Sequence, residues 1–157
     1  MKKGAPNAVV RLFGRNGLQF AFVVALVSML GSLFYSEIAK YTPCELCWYQ
    51  RILMYPQTLL LFIALIKKDL GVTKYTLWMS LIGALVAGYH YLLQLNLVPA
   101  PCSAVGYSAA CSQRFVMEYG YITIPMMAFT GFVLILLMMV AARRYANAHV
   151  FSKPDGL

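Results

Sequence analysis

The chain has 157 residues, 61% of them hydrophobic and 11% charged, with a formal net charge of +8. Soluble domains carry about 25% charged residues, so this composition excludes a soluble globule and points to a protein embedded in the lipid bilayer. Nucleic acid is not the expected partner of the basic excess, because the charges are distributed by side of the membrane rather than along a binding face.

Residues 1–16 are short and basic, and Val9, Val10, Leu12 and Phe13 beside Arg11 and Arg15 suit an amphipathic turn on the membrane surface. A basic head before an apolar stretch also suits a signal peptide over residues 1–39. The apolar run is long, however, and no small-x-small cleavage pattern follows, so an uncleaved first helix is expected. Four apolar runs, at about 18–35, 48–66, 75–95 and 121–142, each approach the roughly 20 residues that a spanning helix needs. The fold class is therefore an all-α membrane protein, a single four-transmembrane-helix bundle with nothing left over for a soluble domain.

The first run contains Ser28 and Ser32, small residues four apart that suit close helix packing. Residues 36–47 form a short loop that delivers the chain to Cys44-Glu45-Leu46-Cys47 at the mouth of the second run. Arg51 follows Cys47 by one helical turn on the same face, and the next fifteen positions carry no formal charge. A guanidinium just inside a bilayer is costly to place and marks a functional site by default. Pro56 predicts a kink about two turns past Cys47. In the third run Gly83, Ala84, Ala87 and Gly88 make a packing face, followed by His90 and, a turn further, Gln94. The loop 96–120 holds Pro99, Pro101, Cys102 and Cys111, and residues 112–119 suit a short helix lying along the membrane surface. The fourth run has Pro125 in its first turn and ends before Arg143 and Arg144.

Four spans put both termini and the loop between the second and third spans on one side. That side carries ten of the thirteen basic residues, namely Lys2, Lys3, Arg11, Arg15, Lys67, Lys68, Lys74, Arg143, Arg144 and Lys153, against Asp69 and Asp155. The positive-inside rule assigns it to the cytoplasm. All four cysteines then fall in the two loops on the opposite face, where disulfides form and persist.

A thiolate is the species that exchanges disulfides. The helix start would stabilise negative charge on Cys44 and Cys47 with its unpaired N–H groups and dipole, and Arg51 adds a full positive charge beneath them. An inert clamp between adjacent turns is the plainer alternative, but it leaves Arg51 without a role. Cys102 and Cys111 enclose eight residues and could serve as a staple or as a second exchanging pair. Four sulfurs could instead hold Zn²⁺, although the eight-residue spacing does not make a regular half-site and Arg51 again goes unused; no metal is expected. His90 is either a packed residue or a proton-exchanging one in a pocket beside Arg51.

The pattern Cys44-x-x-Cys47-x-x-x-Arg51 after the first of four spans, with a second cysteine pair in the second outer loop, resembles the DsbB family of bacterial disulfide-forming membrane proteins. The runs Cys47-Trp48-Tyr49-Gln50-Arg51, Tyr89-His90-Tyr91 and Tyr121-Ile122-Thr123-Ile124-Pro125 look most like its BdbC-type branch. The resemblance covers nearly the whole chain. It implies a thiol:quinone oxidoreductase in the bacterial cytoplasmic (inner) membrane, with ubiquinone or menaquinone as cofactor and a thioredoxin-fold thiol oxidase (DsbA/BdbD-like) as partner on the outer side. By that likeness the partner attacks Cys102, Cys111 exchanges with Cys44, and Cys47 meets the quinone beside Arg51, with His90 also at the quinone site. Two departures stand out: the second pair is closer together than in the better-known branch, and a neutral Gln50 precedes Arg51 where some relatives carry an acid. A vitamin-K-reductase-like bundle also joins a dithiol to quinone, but its dithiol lies late in the chain.

Overall fold

The computed structural model describes residues 8–68, 71–95, 97 and 123–150. Among these residues the structure is all helical. It consists of α1 (Ala8–Leu33), α2 (Glu45–Lys67), α3 (Thr73–Gln94) and α4 (Ile124–Val150), with a π-helical turn, Phe34–Ile38, carrying α1 onward. Four segments are long and apolar enough to cross a membrane: Asn16–Ile38, Glu45–Lys67, Thr73–Gln94 and Ile124–Asn147, of 23, 23, 22 and 24 residues. At about 1.5 Å per residue each exceeds the roughly 30 Å of a bilayer core.

The helices form a closed ring in which α1 packs on α2, α2 on α3, α3 on α4 and α4 back on α1. Small residues set the spacing. Ala21 and Ala25 of α1, Ala84 and Ala87 of α3, and the large Phe132, Ile135 and Met139 of α4 are buried together with Met54 and Leu61 of α2. The Phe132 ring lies on Gly83, where any Cβ would collide with it. Ser28 packs against Gly131 of α4, leaving 2.8 Å between its Oγ and the position a Cβ would take. The small-residue stripe of the third run is thus a packing face.

The surface is apolar where a soluble protein is polar: Val27, Leu30, Ile52, Leu59, Ile66, Trp78 and Leu85 are exposed. The interior holds Gln50, Gln57, Thr76, Ser80 and His90. This distribution is the one a bilayer imposes, since lipid solvates the aliphatic side chains and polar groups must find partners inside the bundle.

Two ends differ from the sequence expectation. α1 includes residues 8–16 of the basic leader, so these continue the helix instead of making a separate surface turn. α4 runs on to Val150, past Arg143 and Arg144. The two extensions support each other: Gly14 lies under the Tyr145 ring, and a Cβ on Gly17 would come 2.9 Å from the Met138 carbonyl. α2 also begins earlier than the apolar run, at Glu45 with Cys44 as its N-cap, and it continues through Pro56. The short helix expected at 112–119 lies outside the described residues.

Candidate functional site

The chain reverses between α1 and α2 in a few residues. The Ala39 N–H donates to the Phe34 carbonyl at 3.0 Å, and the Tyr41 N–H donates to the Tyr35 carbonyl at 3.0 Å. Lys40 takes up the left-handed conformation at φ 58°. The Tyr35 and Tyr41 rings stack with centroids 6.2 Å apart. Pro43 follows, and Cys44 is extended at φ −76°, ψ 171°, as an N-cap residue must be. Its carbonyl accepts the Trp48 N–H at 3.1 Å, which starts α2.

The Cys44 side chain makes no capping hydrogen bond. Its Sγ instead faces Cys47 Sγ at 3.1 Å and His90 Nε2 at 3.7 Å. Cys44 is 4% exposed and His90 1%. The other imidazole nitrogen, Nδ1, lies 3.2 Å from Gln50 Nε2. A glutamine amide serves either tautomer. Its N–H₂ can donate to Nδ1 and leave Nε2–H pointing at sulfur; turned over, its oxygen accepts from Nδ1–H and leaves the Nε2 lone pair for the Cys44 S–H. Gln50, His90 and Cys44 therefore form a buried polar chain that ends on the half-buried Cys47.

This geometry corrects the expectation that the helix start acidifies Cys44. The hydrogen bond with Cys47 and burial push the Cys44 thiol up from an ordinary 9.0 to about 12, while the hydrogen bond from His90 pulls in the other direction. The arrangement thus disfavours the Cys44 thiolate, and the nearest ring nitrogen to that sulfur is His90 Nε2.

Arg51 is held one turn below Cys47. Its Nε donates to Ser32 Oγ at 3.0 Å and its Nη2 to the Ser32 carbonyl at 3.1 Å. Tyr55 donates its hydroxyl to the same Oγ at 3.4 Å. The guanidinium carbon lies 5.6 Å from the centroid of the Trp48 ring, a cation–π arrangement. Ser32 stands two residues before the π-helical turn, a local irregularity that frequently accompanies functional sites.

These groups converge on one cavity of about 460 Å³ between α1, α2, α3 and α4, lined by Ser32, Cys44, Cys47, Arg51, Tyr55 and His90 among others. A volume in that range, largely apolar with a few placed polar groups, suits a small ring-shaped ligand. The lining combines a guanidinium, an imidazole and a dithiol with aliphatic and aromatic walls.

The structure thus brings Cys44, Cys47, Arg51 and His90 together. Cys102 and Cys111 lie outside the described residues. Sequence reasoning attached His90 to Arg51 and missed its contact with Cys44. It treated Ser32 as a packing residue and noted Gln50 only for its lack of charge. The spacing held a sign of the latter, because Gln50 is three residues past Cys47 and shares its helix face.

Residues 14–142 match the family model described as disulfide bond formation protein DsbB. The chain is 47% identical over 118 residues to the probable disulfide formation protein C of Halalkalibacterium halodurans, covering 74% of this chain and 85% of that one. It is 48% identical over 127 residues to the disulfide bond formation protein C of Bacillus subtilis, covering 78% of this chain and 88% of that one. A prophage-derived disulfide bond formation protein B of Bacillus subtilis is 38% identical over 136 residues, with 83% and 91% covered. No solved structure matches the chain.

Proposed function

This chain belongs to the DsbB family of disulfide bond formation proteins, and on that premise we infer that it is a membrane thiol:quinone oxidoreductase. It reoxidises a thiol oxidase and passes the electrons to membrane quinone, which sustains disulfide formation in exported proteins. The observation that carries this reading is the shared cavity of Cys44, Cys47, Arg51 and His90.

A bound quinone, ubiquinone or menaquinone, supplies an acceptor for two electrons and two protons. Everything else falls to the residues of this chain. Cys47, in the first turn of α2 and on the Arg51 side, is the sulfur that faces the acceptor. Arg51, fixed by Ser32, presents positive charge where an oxygen gains negative charge. Cys44 closes the disulfide onto Cys47, giving its proton to His90 as the S–S bond forms. Two thiols become one disulfide, and two electrons and two protons leave.

The Cys102–Cys111 pair is the proposed entry point. A thioredoxin-fold thiol oxidase on the outer side reduces it, and Cys111 then exchanges with Cys44. The working location is the bacterial cytoplasmic membrane, with the basic face inside and both cysteine pairs outside.

Purified full-length protein supplied with quinone should oxidise a reduced thioredoxin-fold partner catalytically. Cys47→Ser and Cys102→Ser should each abolish turnover. Undiminished activity in either variant would defeat the mechanism.

A further inference from the structure

We propose that the reduced Cys44–Cys47 pair and His90 form a redox-gated Zn²⁺ site, beyond the electron-transfer role and resting on that reading only for the oxidant that opens it. Cys44 Sγ, Cys47 Sγ and the nearer His90 nitrogen all lie within 4.8 Å of one another, a cluster assembled from two different helices. Tetrahedral zinc with Zn–S of about 2.3 Å and Zn–N of about 2.0–2.1 Å places two sulfurs roughly 3.8 Å apart and sulfur and nitrogen roughly 3.6 Å apart. The 3.7 Å between Cys44 Sγ and His90 Nε2 already meets this, and the two sulfurs at 3.1 Å need to open by only about 0.7 Å.

Three further features favour a metal ion over a mere polar contact. Gln50 sits on His90 Nδ1, the place where a metal-binding imidazole takes the hydrogen bond that fixes its ring and tautomer. Two thiolates cancel the charge of Zn²⁺, so a site whose Cys44 and His90 are 4% and 1% exposed gains no net charge. Finally, all three donors line the cavity, which gives the ion an entry path and leaves a fourth coordination position to water.

Binding moves no electrons: two S–H bonds break, two protons leave and two S–Zn bonds form. Oxidation uses the same sulfur electron pairs to make the disulfide, with two electrons passing to quinone and the ion expelled. Zinc therefore occupies only the reduced form and holds it out of turnover.

The test uses the full chain with Cys102→Ser and Cys111→Ser, reduced and freed of metal, then titrated with Zn²⁺. The expected result is one ion per chain, with X-ray absorption showing two sulfur neighbours and one imidazole. Gln50→Leu should weaken binding by about tenfold or more through loss of the orienting hydrogen bond. Added quinone should release the ion. No uptake, a shell lacking imidazole, or zinc retained by the disulfide form would each overturn the proposal. The absorption measurement needs no His90 variant, so a misfolded variant cannot mask the answer. Turnover of the natural sequence with excess chelator is a separate readout, and its failure would count against the oxidoreductase reading instead.

Discussion

Ser32 binds Arg51 twice, through its hydroxyl at Nε and its carbonyl at Nη2. Removing the hydroxyl keeps the charge of the arginine and loosens its aim. Ser32→Ala is expected to raise the apparent KM for quinone severalfold while the exchange between the cysteine pairs proceeds at its usual rate, and Ser32→Thr should restore the KM. An unchanged KM would show that Arg51 needs no such support. Cys44 makes a prediction of a different sign. Because its thiol is pushed up to about 12, the reduced chain keeps that proton through neutral pH, and the associated stability is lost as pH climbs from 9.0 toward 12. Alkylation of Cys44 in metal-free protein should accordingly accelerate well above pH 9. In Cys47→Ala, which removes the largest cause of the shift, the alkylation profile should move back down toward the ordinary thiol value; an unmoved profile would refute the Cys47 hydrogen bond as that cause. Sequence reasoning reached Cys44, Cys47 and Arg51 because a dithiol at a helix mouth and a guanidinium at the head of an apolar run are costly local features. It could not reach Ser32, since nothing in an apolar run distinguishes a serine that packs from one that receives an arginine nineteen positions later.

Among the elements, α3 and α4 show how a chain of lipid-soluble helices fixes its own packing. Gly83 is the hollow that admits Phe132, and the ring fills it completely. Gly83→Val would push the ring out and is expected to destabilise the bundle by about 1–3 kcal/mol, read as a lower thermal midpoint in detergent. A midpoint equal to that of the natural sequence would mean that the contact is loose. The stripe of small residues was legible from spacing alone, because close helix approach in lipid demands it. The extents of α1 and α4 were not. Residues 8–15 and the segment after Arg143 are too polar to register as spanning, and their helices are joined by mutual contacts such as Gly14 with Tyr145 that only the folded chain creates. The π-helical turn is likewise invisible in sequence, since it is a change of register rather than of composition.

Across the whole molecule, four apolar runs were enough to read a four-helix membrane bundle; the alternation of loops also predicts all four cysteines on one side, and of these the described residues include Cys44 and Cys47. The ring order of the helices then explains why residues as distant as Cys44 and His90 meet: α2 and α3 are neighbours, and both reach the same end of the bundle. Charge asymmetry predicts that a reporter fused to the C-terminus is active only in its cytoplasmic form. A reporter active outside would invert the topology and with it the compartment of the thiols.

Electron transfer from the dithiol is tested most directly by single-turnover quinone reduction with the fully reduced chain carrying Cys102→Ser and Cys111→Ser, measured without oxygen and with chelator present. One quinone should be reduced for each Cys44–Cys47 disulfide formed, and none when Cys47→Ser is added. Quinone left unreduced by the intact pair, or consumed equally well without Cys47, would contradict the proposed chemistry.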